Sequence, residues 1–250
     1  MTLAKTPTDW MWLKLLCLTI IAALTFEHSR FDVRISELFY TNGHWLLEKG
    51  AQPYAFIFYD FPKLLLILFG IYLITILIWR YWQSRYANTV NAQAFFIRPI
   101  AALSSREIGY LLITIIIVPT VVATLKSFTY VSCPNTLSLF NGHLPYLNLW
   151  QDIIAMTPGK CFPAAHASAG FSLYGLAFLP ILQKYRYKIF VIVTVLGWTM
   201  GLYKMSFGDH FFSHTLVSML LAWTIACGLA TVFFVKTNIN LNIKLNSAIR

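Results

Sequence analysis

Two stretches of the chain place histidines where polar sequence gives way to long apolar runs: GKCFPAAHASAG at 159–170 and YKMSFGDHFFSH at 203–214. In the second, His210 and His214 are four residues apart, a spacing that stacks two side chains on one helical face. An imidazole can act as a nucleophile when its second ring nitrogen is held by an acceptor that fixes the tautomer. His214 can be that acceptor only through a neutral ring nitrogen. Taken alone, the pair fits a polar helix cap, a metal pair or a catalytic dyad. In the first stretch Pro163, Ala164 and Ala165 lead into His166 at the start of an apolar run. Backbone N–H groups at a helix start are unpaired and attract anions, and small side chains let an anion approach them. Ala164 and Ala165 are therefore candidate phosphate-binding positions. His166, at the same rim, could protonate a leaving oxygen. Lys126, opening KSFTYVSCP at 126–134, and Lys204 supply positive point charges; each alone reads equally well as a lysine snorkelling to an interface. Together these groups suggest a phosphate site.

Such residues need elements to hold them, and the composition says of what kind. The 250 residues are 58% hydrophobic and only 11% charged, whereas a soluble domain carries roughly a quarter charged residues. The chain reads as an all-α integral membrane protein, long enough for a bundle of about six spans of roughly 20 residues each. The apolar segments run 10–26, 62–81, 107–125, 166–182, 188–205 and 212–235. The basic hairpin QKYRYK at 183–188 marks a turn at a membrane surface between the two shortest. Neither a second domain nor a repeat is visible, so 1–250 is expected to be one membrane domain with its chemistry in 105–235. Residues 10–26 lack a cleavage site, and no cleavable signal peptide is expected.

Lysine and arginine placement orients the bundle. An even number of spans puts both termini on one side. That side collects Lys5, Lys14, Arg80, Arg85, Arg98, Arg106, Lys184, Arg186, Lys188, Lys236, Lys244 and Arg250 against Asp9 and Glu107. The other side balances seven basic against seven acidic residues, so the formal charge of +10 is all on the first. Both termini are thus expected in the cytoplasm, and the high charge requires no nucleic acid. All six histidines fall on the outer side. Residues 27–61 read as an interfacial segment, with Phe31, Ile35, Leu38, Phe39 and Trp45 in the outer headgroup layer.

The three outer stretches, in this order, resemble the type 2 phosphatidic acid phosphatase family of membrane lipid phosphatases. The family pattern is K-x6-R-P, then P-S-G-H, then S-R-x5-H-x3-D. This chain has Lys126 with Cys133-Pro134 at the matching spacing, then Pro163-Ala164-Ala165-His166, then Tyr203-Lys204 with His210 and His214. The resemblance implies a phosphohistidine mechanism without metal or other cofactor. On it, His210 is the nucleophile, His166 the general acid, and His214 stands where the family has an orienting aspartate. Lys126 and Lys204 match phosphate-binding residues. The implied partner is a membrane lipid substrate in the bilayer, with no nucleic acid and no obligate protein partner. The site would face outward, naturally into the periplasm from a bacterial inner membrane. Undecaprenyl pyrophosphate, phosphatidic acid, phosphatidylglycerol phosphate and lipid A are candidate substrates.

The departures carry information as well. Cys133 and Lys204 replace arginines, which removes two bidentate forks, and Ala164 replaces a serine hydroxyl. Lys160, six residues before His166, could restore some charge. Asp209 would point away from the site on a regular helix. Cys133 and Cys161 share the outer side, where a disulfide can persist, and a bond between them would pin the first motif to the second. Other readings of the same residues are a lipid phosphotransferase using the same intermediate, a zinc site of His166, His210 and His214, and a lipid-phosphate-binding relative without turnover.

Overall fold

A computed structural model describes residues 10–26, 29–86 and 102–235. His28, Glu27, Asp9 and the cations Lys5, Arg98, Lys236, Lys244 and Arg250 lie outside the described residues. The described chain is built of helices α1 (Met11–Phe26), α2 (Arg30–Glu37), α3 (Phe61–Tyr86), α4 (Ser105–Thr129), α5 (Leu149–Ala155), α6 (Ala165–Phe171), α7 (Arg186–Met205) and α8 (Phe212–Ala230). A two-residue hairpin pairs Tyr40 with Trp45 and Thr41 with His44. Among the described residues, four helical stretches are long and apolar enough to cross a membrane: Phe56–Arg85, Ser105–Thr136, Pro180–Met205 and Phe212–Phe234. A fifth is added if α1 and α2 count as one broken span. With 16 residues, α1 alone reaches about 24 Å at 1.5 Å per residue, short of the roughly 30 Å hydrocarbon core.

The fourth apolar segment, expected as one span at 166–182, is not a continuous helix. α6 runs for seven residues, Ser172–Phe178 is a 3-10 turn, Leu179 is extended, and Pro180–Tyr185 is 3-10 again. Proline disfavours helical backbone at the residue before it, so Pro180 explains the break at Leu179. This run is an internal one. Ala167, Ser168, Gly170, Phe171, Tyr174 and Ala177 are buried among α4, α7 and α8. Arg186 ends it by donating from Nε to the Ala177 carbonyl at 2.9 Å.

α8 is the central helix. Half of its apolar window is enclosed by protein, against 17% for the stretch containing α3, so α3 turns most of its surface outward. Leu64, Leu65, Ile67, Leu68, Ile71, Ile74 and Ile78 of α3 are exposed, as are Ile20, Ile21 and Leu24 of α1 and Ile192 and Val195 of α7. Contiguous apolar surface of this extent fits lipid better than water. Helices pack closely where small residues permit it: a Cβ on Gly201 of α7 would stand 2.5 Å from the Thr215 side chain of α8. Basic residues mark one end of the bundle, with Arg80 and Arg85 at the end of α3, Arg106 opening α4, and Lys184, Arg186 and Lys188 around the start of α7. α4 is capped at that end by a box in which Ser104 and Glu107 exchange hydrogen bonds, satisfying orphan helix-start donors.

Candidate active site

At the opposite end, α4 and α7 finish while α6 and α8 begin, and a cavity of about 630 Å³ lies among them. The turn between α7 and α8 shapes its floor. α7 stops at Met205, Gly208 takes φ of +74°, and α8 starts at Phe212. That left-handed φ favours glycine, and a Cβ there would sit 2.4 Å from the Trp45 ring. The Gly208 carbonyl accepts from the Asn135 amide at 3.0 Å, which ties this turn to the loop after α4. Trp45 thus covers the turn and packs against Tyr40 and Phe140. Trp45 is half-buried in this packing, whereas Phe31 and Leu38 are exposed.

His210 lines the cavity and is 2% exposed. Behind it His214 is fully buried, and the two Nδ1 atoms are 3.5 Å apart, the long limit of a hydrogen bond. With Nδ1 turned to His214, Nε2 is the nitrogen left for chemistry. Burial, then the proximity of His214, Lys126, His166 and Lys204, holds His210 well below the ordinary imidazole pKa. It is therefore neutral at neutral pH, with a lone pair to offer. His166 faces it across the cavity. Burial and then Lys204 and Lys126 push its pKa down to about 4, against a smaller upward pull from Asp209. Its Nε2 lies 3.1 Å from the Tyr59 hydroxyl, and the two rings are 4.7 Å apart.

Lys126, Lys160, Lys204 and Lys49 all line the same cavity. Asp209 lines it too, accepting from Lys204 Nζ at 3.1 Å, with Lys49 Nζ at 3.8 Å and Asn135 Nδ2 at 3.4 Å. On a regular helix Asp209 would point away, but residues 206–211 form a turn and its side chain lines the cavity. Four ammonium groups against one carboxylate make a strongly anion-attracting pocket. Its wall is partly covalent: Cys133 and Cys161 are joined as a disulfide with Cα atoms 5.3 Å apart. The Cys161 amide also donates to the Val131 carbonyl at 3.0 Å. This pinning folds the segment between the two cysteines over the pocket, bringing His143 and Lys160 to its rim.

The sequence model of the PAP2 superfamily matches residues 107–238, just over half of the chain. The chain belongs to the PAP2 superfamily. No curated protein and no solved structure matches it. In this PAP2 chain the residues at the three motif positions come from different elements and meet at one cavity: Lys126 from the end of α4, His166 from α6, Lys204 from the end of α7 and His210 from the turn before α8.

Two expected phosphate-binding positions do not reach it. The Ala164 N–H donates to the His214 carbonyl at 3.1 Å, and neither Ala164 nor Ala165 lines the cavity. Joining the second motif to α8 thus occupies the Ala164 amide. Among the described residues no three or more His, Cys, Asp or Glu side chains are grouped to hold a metal ion, so His166, His210 and His214 do not converge as a zinc site. Tyr59, Lys49, Asn135 and His143 were not singled out from the sequence. Tyr59 and Lys49 precede the PAP2 match entirely, and no motif spacing could have pointed to them.

Proposed function

We propose that this PAP2 protein is an integral membrane phosphatase that removes phosphate from a lipid phosphate or pyrophosphate through a phosphohistidine. Family membership points to phosphatase chemistry. The observation that carries the finer reading is the buried His210–His214 pair facing a lysine-lined cavity with His166 on its other wall. In the first step the His210 Nε2 lone pair attacks phosphorus while the bond to the leaving oxygen breaks and that oxygen takes the electron pair. His210 Nδ1–H donates to His214 as positive charge grows on the ring. The leaving oxygen receives its proton from the His166 side of the cavity. In the second step water gives a proton back to that side and attacks phosphorus, the N–P bond breaks, and inorganic phosphate departs. Lys126 and Lys204 stabilise charge on the phosphoryl oxygens throughout, with Lys160 at the rim. In the empty cavity His166 is neutral at pH 7. A bound phosphate dianion opposes the lysine charges that depress it and favours the imidazolium required of an acid.

Six crossings complete the reading: α1 with α2 as one broken span, α3, α4, the broken run from α6 to Tyr185, α7 and α8. The cavity lies at the end away from the basic helix termini, which under the positive-inside rule supports a site on the outside and both termini in the cytoplasm. A bacterial inner membrane, with the site open to the periplasm, fits this arrangement. Lipid tails would rest against the exposed apolar faces while the headgroup enters from the membrane surface.

The test is phosphate release by detergent-purified protein from phosphatidic acid, phosphatidylglycerol phosphate, undecaprenyl pyrophosphate and lipid A, with EDTA present, beside His210→Ala. Turnover of at least one substrate that disappears in His210→Ala supports the reading. Turnover that survives in the variant removes the phosphohistidine, and binding without turnover leaves a lipid-phosphate-binding protein.

A further inference from the structure

His166 has only one cavity-side nitrogen, and that nitrogen is already occupied. Nδ1 is buried and makes no hydrogen bond among the described residues. Nε2 meets the Tyr59 hydroxyl at 3.1 Å. A proton travelling from His166 into the cavity therefore leaves through Nε2, where Tyr59 stands. Tyr59 itself lines the cavity. It is delivered by a short π-helical turn, Phe56–Asp60, immediately before α3, and so by a part of the chain that the family match does not include. Two ammonium groups stand over its ring, Lys204 Nζ at 5.0 Å from the centroid and Lys63 Nζ at 5.7 Å. Cations so placed hold the ring against the cavity wall through its π face.

Building on the phosphatase reading, we propose that Tyr59 is the group that hands the proton to the leaving oxygen, with His166 behind it as the source. As the bond from phosphorus to the leaving oxygen breaks, that oxygen takes the electron pair and the Tyr59 Oη proton. The phenol oxygen simultaneously takes the Nε2 proton of the His166 imidazolium. Tyr59 ends as the phenol it began as, and His166 ends neutral with a lone pair on Nε2. In the second half-reaction the same path runs backwards: water gives its proton to the Tyr59 oxygen as the Tyr59 proton returns to Nε2. No free tyrosinate accumulates, and charge and protons balance in both halves. The ring of Tyr59, which Lys204 and His166 both contact, is a separate contribution that a phenylalanine would keep.

Tyr59→Phe removes the hydroxyl alone, which makes the leaving group the discriminating variable. Nitrophenolate leaves without a proton, whereas an alkoxide needs one. With wild type, Tyr59→Phe, His166→Ala and the double variant, kcat is measured on nitrophenyl phosphate, on nitrobenzyl phosphate and on phosphatidic acid. Tyr59→Phe is expected to lose about a hundredfold on the two alkyl esters, within the range a placed acid supplies, and less than about twofold on the aryl ester. The double variant should be no slower on phosphatidic acid than His166→Ala, because both changes cut one path. Equal losses on aryl and alkyl esters, or losses that multiply in the double variant, would assign Tyr59 a purely structural role and overturn the proposal. Faster turnover by Tyr59→Phe would also overturn it, making the hydroxyl an obstruction. A wild type inactive on all three substrates and on undecaprenyl pyrophosphate would instead remove the phosphatase reading on which the proposal rests. Thermal unfolding of each variant separates loss of fold from loss of chemistry.

Discussion

His210 must stay neutral to be a nucleophile, and its surroundings enforce this. Burial and the adjacent His214, Lys126, His166 and Lys204 all disfavour its charged form. The sign is clear: a depressed folded pKa keeps the lone pair available until the pH falls below that value. The acid limb of the kcat profile, which reports the substrate-bound enzyme, is therefore expected below the ordinary imidazole range of about 6.5, with the rate falling only in stronger acid. Burial moves that limb below the range an exposed imidazole would show. A profile that halves between pH 7 and 6 would contradict the buried dyad. His214→Asp tests the same point from the other side. A carboxylate beside His210 favours its imidazolium, so the acid limb should move to higher pH, whereas His214→Ala should lower kcat by about tenfold or more through loss of the orienting acceptor. Protonation also bears on stability. A histidine held neutral in the fold binds fewer protons than the unfolded chain between about pH 4, the value for His166, and about 6.5. Stability should rise with pH across that window, which thermal unfolding at a series of pH values would read.

At the scale of elements, the site depends on how helices begin and end. The α7–α8 turn aims both Asp209 and His210 into the cavity, and it does so through a left-handed Gly208 under the Trp45 ring. Gly208→Ala meets both a backbone penalty and a steric one. It should cost about 1–3 kcal/mol of stability and most of the activity, measured by thermal unfolding and by phosphate release. Gly159 in the loop before α6 carries the steric penalty alone, since a Cβ there would lie 2.4 Å from the Val131 carbonyl oxygen. Helix interiors were legible from the length of the apolar runs, and α3, α4, α7 and α8 lie close to their expected bounds. The run from α6 to Tyr185 was not. Its composition matches a span, but Pro180 and internal packing among three helices decide against a continuous one.

For the whole molecule, the Cys133–Cys161 bond closes a loop with a sequence separation of 28. Constraining the unfolded chain over that length is worth about 3–4 kcal/mol in the chain-entropy account. Reductant should lower the unfolding temperature and also the activity, since the same loop carries Lys160 and His143 to the cavity rim. Unchanged melting after full reduction would show that the loop is held by packing alone. The topology makes its own prediction: a reporter that fluoresces only when folded in the cytoplasm should do so at the C-terminus. A dark fusion at full expression would invert the bundle and place the cavity inside.

The sequence by itself determined the membrane class, the family, the charge asymmetry and the order of the motif residues, because each follows from residue type and spacing along one chain. His166, Lys126, Lys204 and His210 were visible in that way. Only the tertiary structure decided that the Ala164 amide is spent on the His214 carbonyl, that Asp209 faces Lys204, and that Tyr59 reaches His166 from 107 positions away. These are questions of direction and proximity. They are settled by a turn at Gly208, a proline break and a disulfide, each of which sends a side chain where no periodicity along the chain could point.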